Sequence, residues 1–103
     1  MYDEKELEYT LYLIKTVLRD CIDKLDISSN REAFLLYYGI SAKQSEKIEK
    51  LFWDIVNQEN NISFSEFSQM LNQRLESNFS SQVIKKLLDA YKEYEPVAIS
   101  KIK

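Results

Sequence analysis

Residues 7–25, LEYTLYLIKTVLRDCIDKL, place Leu7, Leu11, Ile14, Leu18, Cys21 and Leu25 at steps of four, three, four, three and four. Alternating steps of three and four keep side chains on one side of an α-helix, so these six form a narrow apolar seam of the kind one helix offers another. Tyr9, Tyr12, Leu13, Val17 and Ile22 widen the seam, which predicts a helix with neighbours on more than one side. The helix is predicted from Asp3 to Asp26, with acidic residues in its first turn where the helix dipole favours negative charge. A seam of this length exceeds what shorter helices can cover. It predicts self-association as a homodimer through Leu7, Leu11, Ile14, Leu18 and Cys21. The competing reading places the same stripe in the core of the single chain.

The remaining chain repeats the helical logic. Ser29 with Glu32 has the spacing of a capping box and opens a short helix over Asn30 to Tyr38. Phe34, Leu35, Leu36, Tyr37 and Tyr38 surround that helix, so it should be largely buried, and Gly39 is placed to end it in a left-handed conformation. Ser41 with Gln44 repeats the cap. Ile48, Leu51, Phe52, Ile55 and Val56 then stripe a helix from Ala42 to Glu59, closed by Asn60 and Asn61. Ser63 with Glu66 opens the next, whose inner face is Phe64, Phe67, Met70, Leu71 and Leu75. A turn over Ser77 to Ser80 leads to a helix from Ser81 to Tyr94 with Val83, Ile84, Leu87, Leu88 and Tyr91 inward, stopped by Glu95 and Pro96. These readings give an all-α bundle of about five helices, a single domain over 1–96, and a tail over 97–103 that is an extra turn, a short extended piece or disordered.

Composition agrees with this class. The chain has 103 residues, 45% hydrophobic and 30% charged, enough for one core that buries roughly two thirds of the unfolded surface. One glycine and one proline leave little for hairpins and bulges. The longest apolar run, Ala33 to Tyr38, is far short of the roughly 18 residues a membrane span needs. The acidic start (Asp3, Glu4, Glu6, Glu8) does not suit a signal peptide. A lone Cys21 excludes an intramolecular disulfide and fits a reducing compartment; on the seam it reads as a small buried hydrophobe rather than a reactive thiol. The chain is therefore expected to be cytoplasmic.

Chemistry is sparse. The sequence has no histidine, which removes the commonest general base, the Ser-His and Cys-His pairs and most zinc and iron sites. No glycine-rich loop can cradle a phosphate. Carboxylate pairs such as Glu46 and Glu49 are interleaved with lysines at the spacings of surface ion pairs. No enzyme activity, cofactor or metal is expected. Residues 57–67, NQENNISFSEF, echo the end of a calcium-binding helix-loop-helix, but counting back from Glu66 puts Ile55 at the first ligand position and Asn60 at the turn glycine.

Two binding features remain. Trp53 lies off the stripe of its helix, either locking a neighbouring helix or exposed as an anchor for a partner. Lys85, Lys86, Lys92, Lys101 and Lys103 make the tail mildly basic, and Lys85 and Lys92 join Trp53 as candidate partner contacts; the bland reading is a solvated surface. The helix, Gly39, Ser41 and following helix also resemble a helix-turn-helix, with Ala42 to Leu51 as reading helix and Lys43, Lys47 and Lys50 on phosphates. Glu46 and Glu49 among those lysines, and a net charge of -3, oppose nucleic acid.

Leu7-Glu8-Tyr9 with Leu13 to Val17, then Phe34 to Ile40 ending in Gly-Ile-Ser, then Phe64, Phe67 and Leu71 to Leu75 resemble a family of small uncharacterised helical proteins of low-GC Gram-positive bacteria typified by Bacillus YhaI. The resemblance implies an all-α fold and self-association; it brings no activity or site residues. The chain departs from it in the Leu25 to Asn30 linker and beyond Pro96. Usage rich in Lys, Asn, Ile and Tyr suits an AT-rich genome, including those of phages and other mobile elements. The expected function is a non-enzymatic adaptor or inhibitor that binds and occludes a protein partner, with a helix-turn-helix DNA-binding regulator as the alternative.

Overall fold

A computed structural model describes residues 3–25 and 30–103, and every regular element in it is helical. The helices are α1 (Glu4–Leu25), α2 (Arg31–Tyr37), α3 (Ala42–Asn57), α4 (Phe64–Leu75), α5 (Ser81–Tyr91) and α6 (Pro96–Ser100). Two expectations, the end of the first helix at Asp26 and a cap at Ser29, lie outside the described residues. The cap of α2 is Asn30, whose Oδ1 accepts the Ala33 N–H at 3.0 Å. Glu32 turns to Arg31 at 2.8 Å.

Other helix ends follow their local sequence. Ser41 and Gln44 form the full capping box of α3, and Ser63 accepts the Glu66 N–H to start α4. At the end of α2, Gly39 stands at φ +64°, with its N–H on Leu36 O and the Ile40 N–H on Leu35 O. That double return bond needs a left-handed residue, for which glycine has no Cβ penalty. The same motif ends α4, but its left-handed residue is Glu76 at φ 53°, with the Ser77 N–H reaching Asn72 O. Helices α3 and α5 end two to three residues earlier than expected, α3 at Asn57 rather than Glu59 and α5 at Tyr91 rather than Tyr94.

Among the described residues the fully buried side chains all lie between Phe34 and Ala98. Phe52 sits at the centre, its ring 5.8 Å from Phe67 and 5.2 Å from Tyr91. Around it Ile48, Leu51 and Ile55 of α3, Leu71 and Leu75 of α4, and Ile84 and Leu87 of α5 close the core. The α4–α5 loop is held by the Asn72 carboxamide, which donates to Phe79 O at 3.1 Å and accepts the Phe79 N–H and the Ser77 hydroxyl, both at 2.9 Å.

Residues 97–103, set apart by their place beyond Pro96, pack onto this bundle as both an extra turn and an extended piece. Pro96 begins α6, where its missing N–H costs nothing and its fixed φ suits a first helical turn. Ala98 is fully buried, and Ile62 and Ile102 form an isolated parallel bridge through Ile62 N–H to Lys101 O (2.9 Å) and Lys103 N–H to Ile62 O (2.8 Å). The Lys101 ammonium donates to Val56 O at 3.0 Å and to Gln58 O, so it caps the carbonyl end of α3 rather than standing free for an acidic partner.

Candidate interaction surface

Helix α1 contributes no buried residue. Its principal neighbour in the chain is α2, reached from one side only. Lys15 faces Glu32, Leu35 and Leu36; the Arg19 guanidinium lies 5.0 Å over the Tyr37 ring; and the Asp23 carboxylate beside the Tyr37 hydroxyl raises that phenol above its ordinary range. Ile22, on the same side, is half-buried.

The adjoining side of α1 is uncovered. Leu7, Leu11, Ile14 and Leu18 are each between 43 and 48% exposed, against at most 4% for core residues. Cys21 is exposed as well, so the expectation of a buried thiol fails: no described residue stands over that side of the helix. The broad buried face is likewise corrected. Tyr9, Tyr12 and Val17 point to solvent because α1 has one flank against the bundle, not two. At 100° per residue, Lys15, Arg19 and Ile22 occupy one arc, while Leu7, Ile14 and Leu18, flanked by Leu13 and Val17, occupy the adjoining arc turned away from α2. The free end of α1 also sets the dimensions: the molecule measures 52 × 28 × 23 Å with a radius of gyration of 15.5 Å, above the roughly 13 Å of a compact chain this long.

Where α1 leans on α2, an open groove of about 530 Å³ is lined by Lys15, Glu32, Leu35, Leu36, Gly39, Ile40 and Ser41. The sequence reading did not find it. The available signal was the seven-residue α2, apolar around most of its girth: Leu35 packs partly against the core, and Leu36 had to show itself to something else.

Trp53 does not lock a neighbouring helix. It is 64% exposed on α3, because the buried stripe through Leu51, Phe52 and Ile55 leaves its direction without a neighbour. Lys85 lies 5.8 Å over the Phe64 ring and Lys92 pairs with Asp89 at 3.1 Å, so each has a partner within its own chain. The groove beside α2 and the one lined by Lys47, Lys50 and Arg74 do not include Trp53, Lys85 or Lys92.

The turn at Gly39 and Ser41 does join two helices, and Lys47, Lys50 and Arg74 line a second, shallow groove of about 360 Å³. Two of its three cations are already engaged: Arg74 meets Asp54 at 2.8 Å and Lys50 approaches the same carboxylate at 3.9 Å. Near the end of α3, Ile55 is fully buried at the position where calcium would need a carboxylate. Among the described residues no group of three His, Cys, Asp or Glu side chains is placed to hold a metal ion.

The remaining concentration of titratable groups surrounds Tyr91. Its hydroxyl is buried without a hydrogen-bond partner, although Ser45 lies near, and burial first of all raises the phenol above its usual range. Arg31 stacks 4.1 Å over the Tyr94 ring and sits 4.0 Å from Glu49. Burial, then the nearby Glu49 charge, raises the Glu95 carboxyl. No described helix is long and apolar enough to cross a membrane. No family model, curated protein or solved structure matches this chain.

Proposed function

We propose that this protein is a non-enzymatic interaction module, an adaptor or inhibitor that self-associates through α1 and occludes or bridges the surface of a protein partner. One observation carries the reading: a 22-residue amphipathic helix contributes no side chain to a core that the other five helices close by themselves. An isolated helix of that length is marginal in water, and amphipathic helices owe most of their stability to whatever covers the apolar face. The Lys15 and Arg19 contacts to α2 anchor the helix and leave its seam outward. Trp53, the large aromatic exposed on α3, is the second candidate for partner contact, since buried tryptophans dominate many interfaces.

The test is Ile14→Glu with Leu18→Glu. Both residues are exposed in the single chain, so the variant is expected to keep the thermal transition of the bundle while its light-scattering mass falls to that of one chain. Comparative affinity capture then asks whether proteins retained by the natural chain are lost from the variant. A natural chain that is monomeric and whose captured proteins are unaffected by the two charges would overturn the proposal.

A further inference from the structure

Resting on the reading of this chain as a protein-binding module, and not on its self-association through α1, we propose that the outer face of α3 and α4 binds an acidic peptide segment carrying an apolar side chain. Lys47, Lys50 and Arg74 meet its carboxylates, and Trp53 meets its apolar residue.

Charge selects the acidic partner. The whole chain stands at -3, yet Lys47, Lys50 and Arg74 line one groove. Arg74 at 2.8 Å and Lys50 at 3.9 Å draw on a single carboxylate, that of Asp54. One negative charge against three positive ones leaves the groove a surplus of two. Lys43, one turn before Lys47, adds a base to this face, and Glu46, four residues before Lys50, offsets it. Several cations elsewhere have acceptors of their own: Arg31 meets Glu32 and Glu49, Lys92 meets Asp89, and Lys101 is taken by two backbone carbonyls. Arg74 is also preformed for the task. Its Nη2 donates to Asp54, which fixes the side chain, while a guanidinium carries five donors in a rigid fork and so keeps others for a second carboxylate.

Trp53 supplies the apolar half. It stands three residues after Lys50, hence one turn along the same side of α3, and is 64% exposed. That leaves on the order of 150 Å² of indole in water. The helix cannot turn it inward, because Ile48, Leu51, Phe52 and Ile55 are fully buried on the far side. Ring and cations are thus held on packed helices, where little ordering is lost on binding.

Nucleic acid fits this face less well. A run of phosphates would meet Asp54 among the cations and Glu46 beside them, and a surplus of two releases few counterions. Strand-binding surfaces stack successive bases on several aromatic rings, whereas a single ring stands beside this groove. A peptide places its carboxylates singly and can seat them on Lys47 and Arg74 clear of Asp54.

Trp53 is the sole tryptophan of the chain, so its emission reports from this face alone. The probes are labelled synthetic peptides of glutamate, alanine and one leucine, with the leucine at different helical spacings from the glutamates. Matching peptides carry lysine for glutamate, and a labelled oligothymidylate stands for nucleic acid. Anisotropy at low ionic strength should show saturable binding of at least one acidic peptide, with Trp53 emission moving to the blue, and no binding of the lysine peptides. Lys47→Glu with Lys50→Glu should weaken binding at least about tenfold, and Trp53→Ala by about tenfold. Asp54→Asn, which withdraws the competing carboxylate, should tighten it roughly threefold. Lys86→Glu, and Ile14→Glu with Leu18→Glu, should leave it unchanged; circular dichroism should find every variant folded. Failure of every acidic peptide, binding that ignores the charges at Lys47 and Lys50, or tighter binding of the oligothymidylate would overturn the inference and leave self-association through α1 standing. A monomeric natural chain that binds the acidic peptide would overturn that self-association and support the inference.

Discussion

Replacing Asn72 with alanine tests whether one side chain fixes the approach of α5 to α4. The Asn72 carboxamide satisfies both backbone groups of Phe79, accepting the N–H at 2.9 Å and donating to the carbonyl at 3.1 Å, and it holds the Ser77 hydroxyl at 2.9 Å. All three bonds are partly buried, so water replaces them incompletely. At about 1 kcal/mol for each Phe79 group, with a smaller part for Ser77, the loss is about 2 kcal/mol. For a domain of this size that lowers the thermal midpoint by about 10 °C. Urea unfolding followed by circular dichroism should show the drop with an unchanged m-value, since the same surface is exposed on unfolding. Ser77→Ala, which removes only the hydroxyl donor, should cost about 0.5 kcal/mol. Asn72→Asp keeps the acceptor contacts but sets a carboxylate against the Phe79 carbonyl. It should do no better than alanine at neutral pH and recover as acid restores an O–H donor. An alanine variant within about 0.5 kcal/mol of the natural chain would refute the bracket, because no net hydrogen bond would then have been lost.

Glu76→Gly should raise stability by about 0.5–1 kcal/mol, the left-handed penalty of a side chain at φ 53° less the extra entropy of an unfolded glycine, and thermal unfolding reads it directly. Tyr91→Phe should leave stability at neutral pH unchanged or slightly higher, because the lost hydroxyl is buried without a partner. Since burial raises the Tyr91 phenol, the folded chain prefers the neutral form: its contribution is fully present below about pH 10 and is lost as pH rises through the folded value. The phenylalanine variant should lack that part of the alkaline loss; a cost above about 1.5 kcal/mol at neutral pH would show instead that the hydroxyl is bonded. Lys101→Met, which withdraws the ammonium from the Val56 and Gln58 carbonyls, should cost about 1–2 kcal/mol and speed amide exchange at Ile62 and Lys103.

What could be read in advance was local. Ser41 with Gln44, Ser63 with Glu66 and Gly39 each announce a helix end through bonds within four residues, and the stripes of α3, α4 and α5 place Ile48, Phe52, Phe67, Leu71, Ile84 and Leu87 on inner faces. What escaped depends on chain far apart. The bridge between Ile62 and Ile102 joins segments forty positions apart through backbone groups that carry no residue signature. Ala98 is buried because α6 docks on α3, and a small side chain in a five-residue helix has no period to declare it. Pro96 shows how one rule can be read two ways: it was expected to stop α5, which already ends at Tyr91, and it supplies a preformed first turn for α6. Trp53 follows Phe52 by one residue and so points about 100° away from it. Its exposure follows from the stripe once no further helix lies on that side.

The seam of α1 was legible as a pattern, but periodicity says only that a face is apolar, not what lies on it. The answer comes from the rest of the chain. Phe52 with Phe67 and Tyr91 fills the centre of the bundle, α2 spends Phe34 on that core, and α6 with the Ile102 bridge seals the side at which α3 and α4 meet. A core closed in this way has no opening that would admit Leu7, Leu11, Ile14 and Leu18, and α2 can meet α1 only along Lys15, Arg19 and Ile22. Residues that a sequence pattern marks as interior are therefore left outside by a completed interior. In water a contiguous apolar stripe of this kind is stabilised by whatever covers it. The seam is exposed because the core is complete without it, and that is why the proposed interface falls on α1.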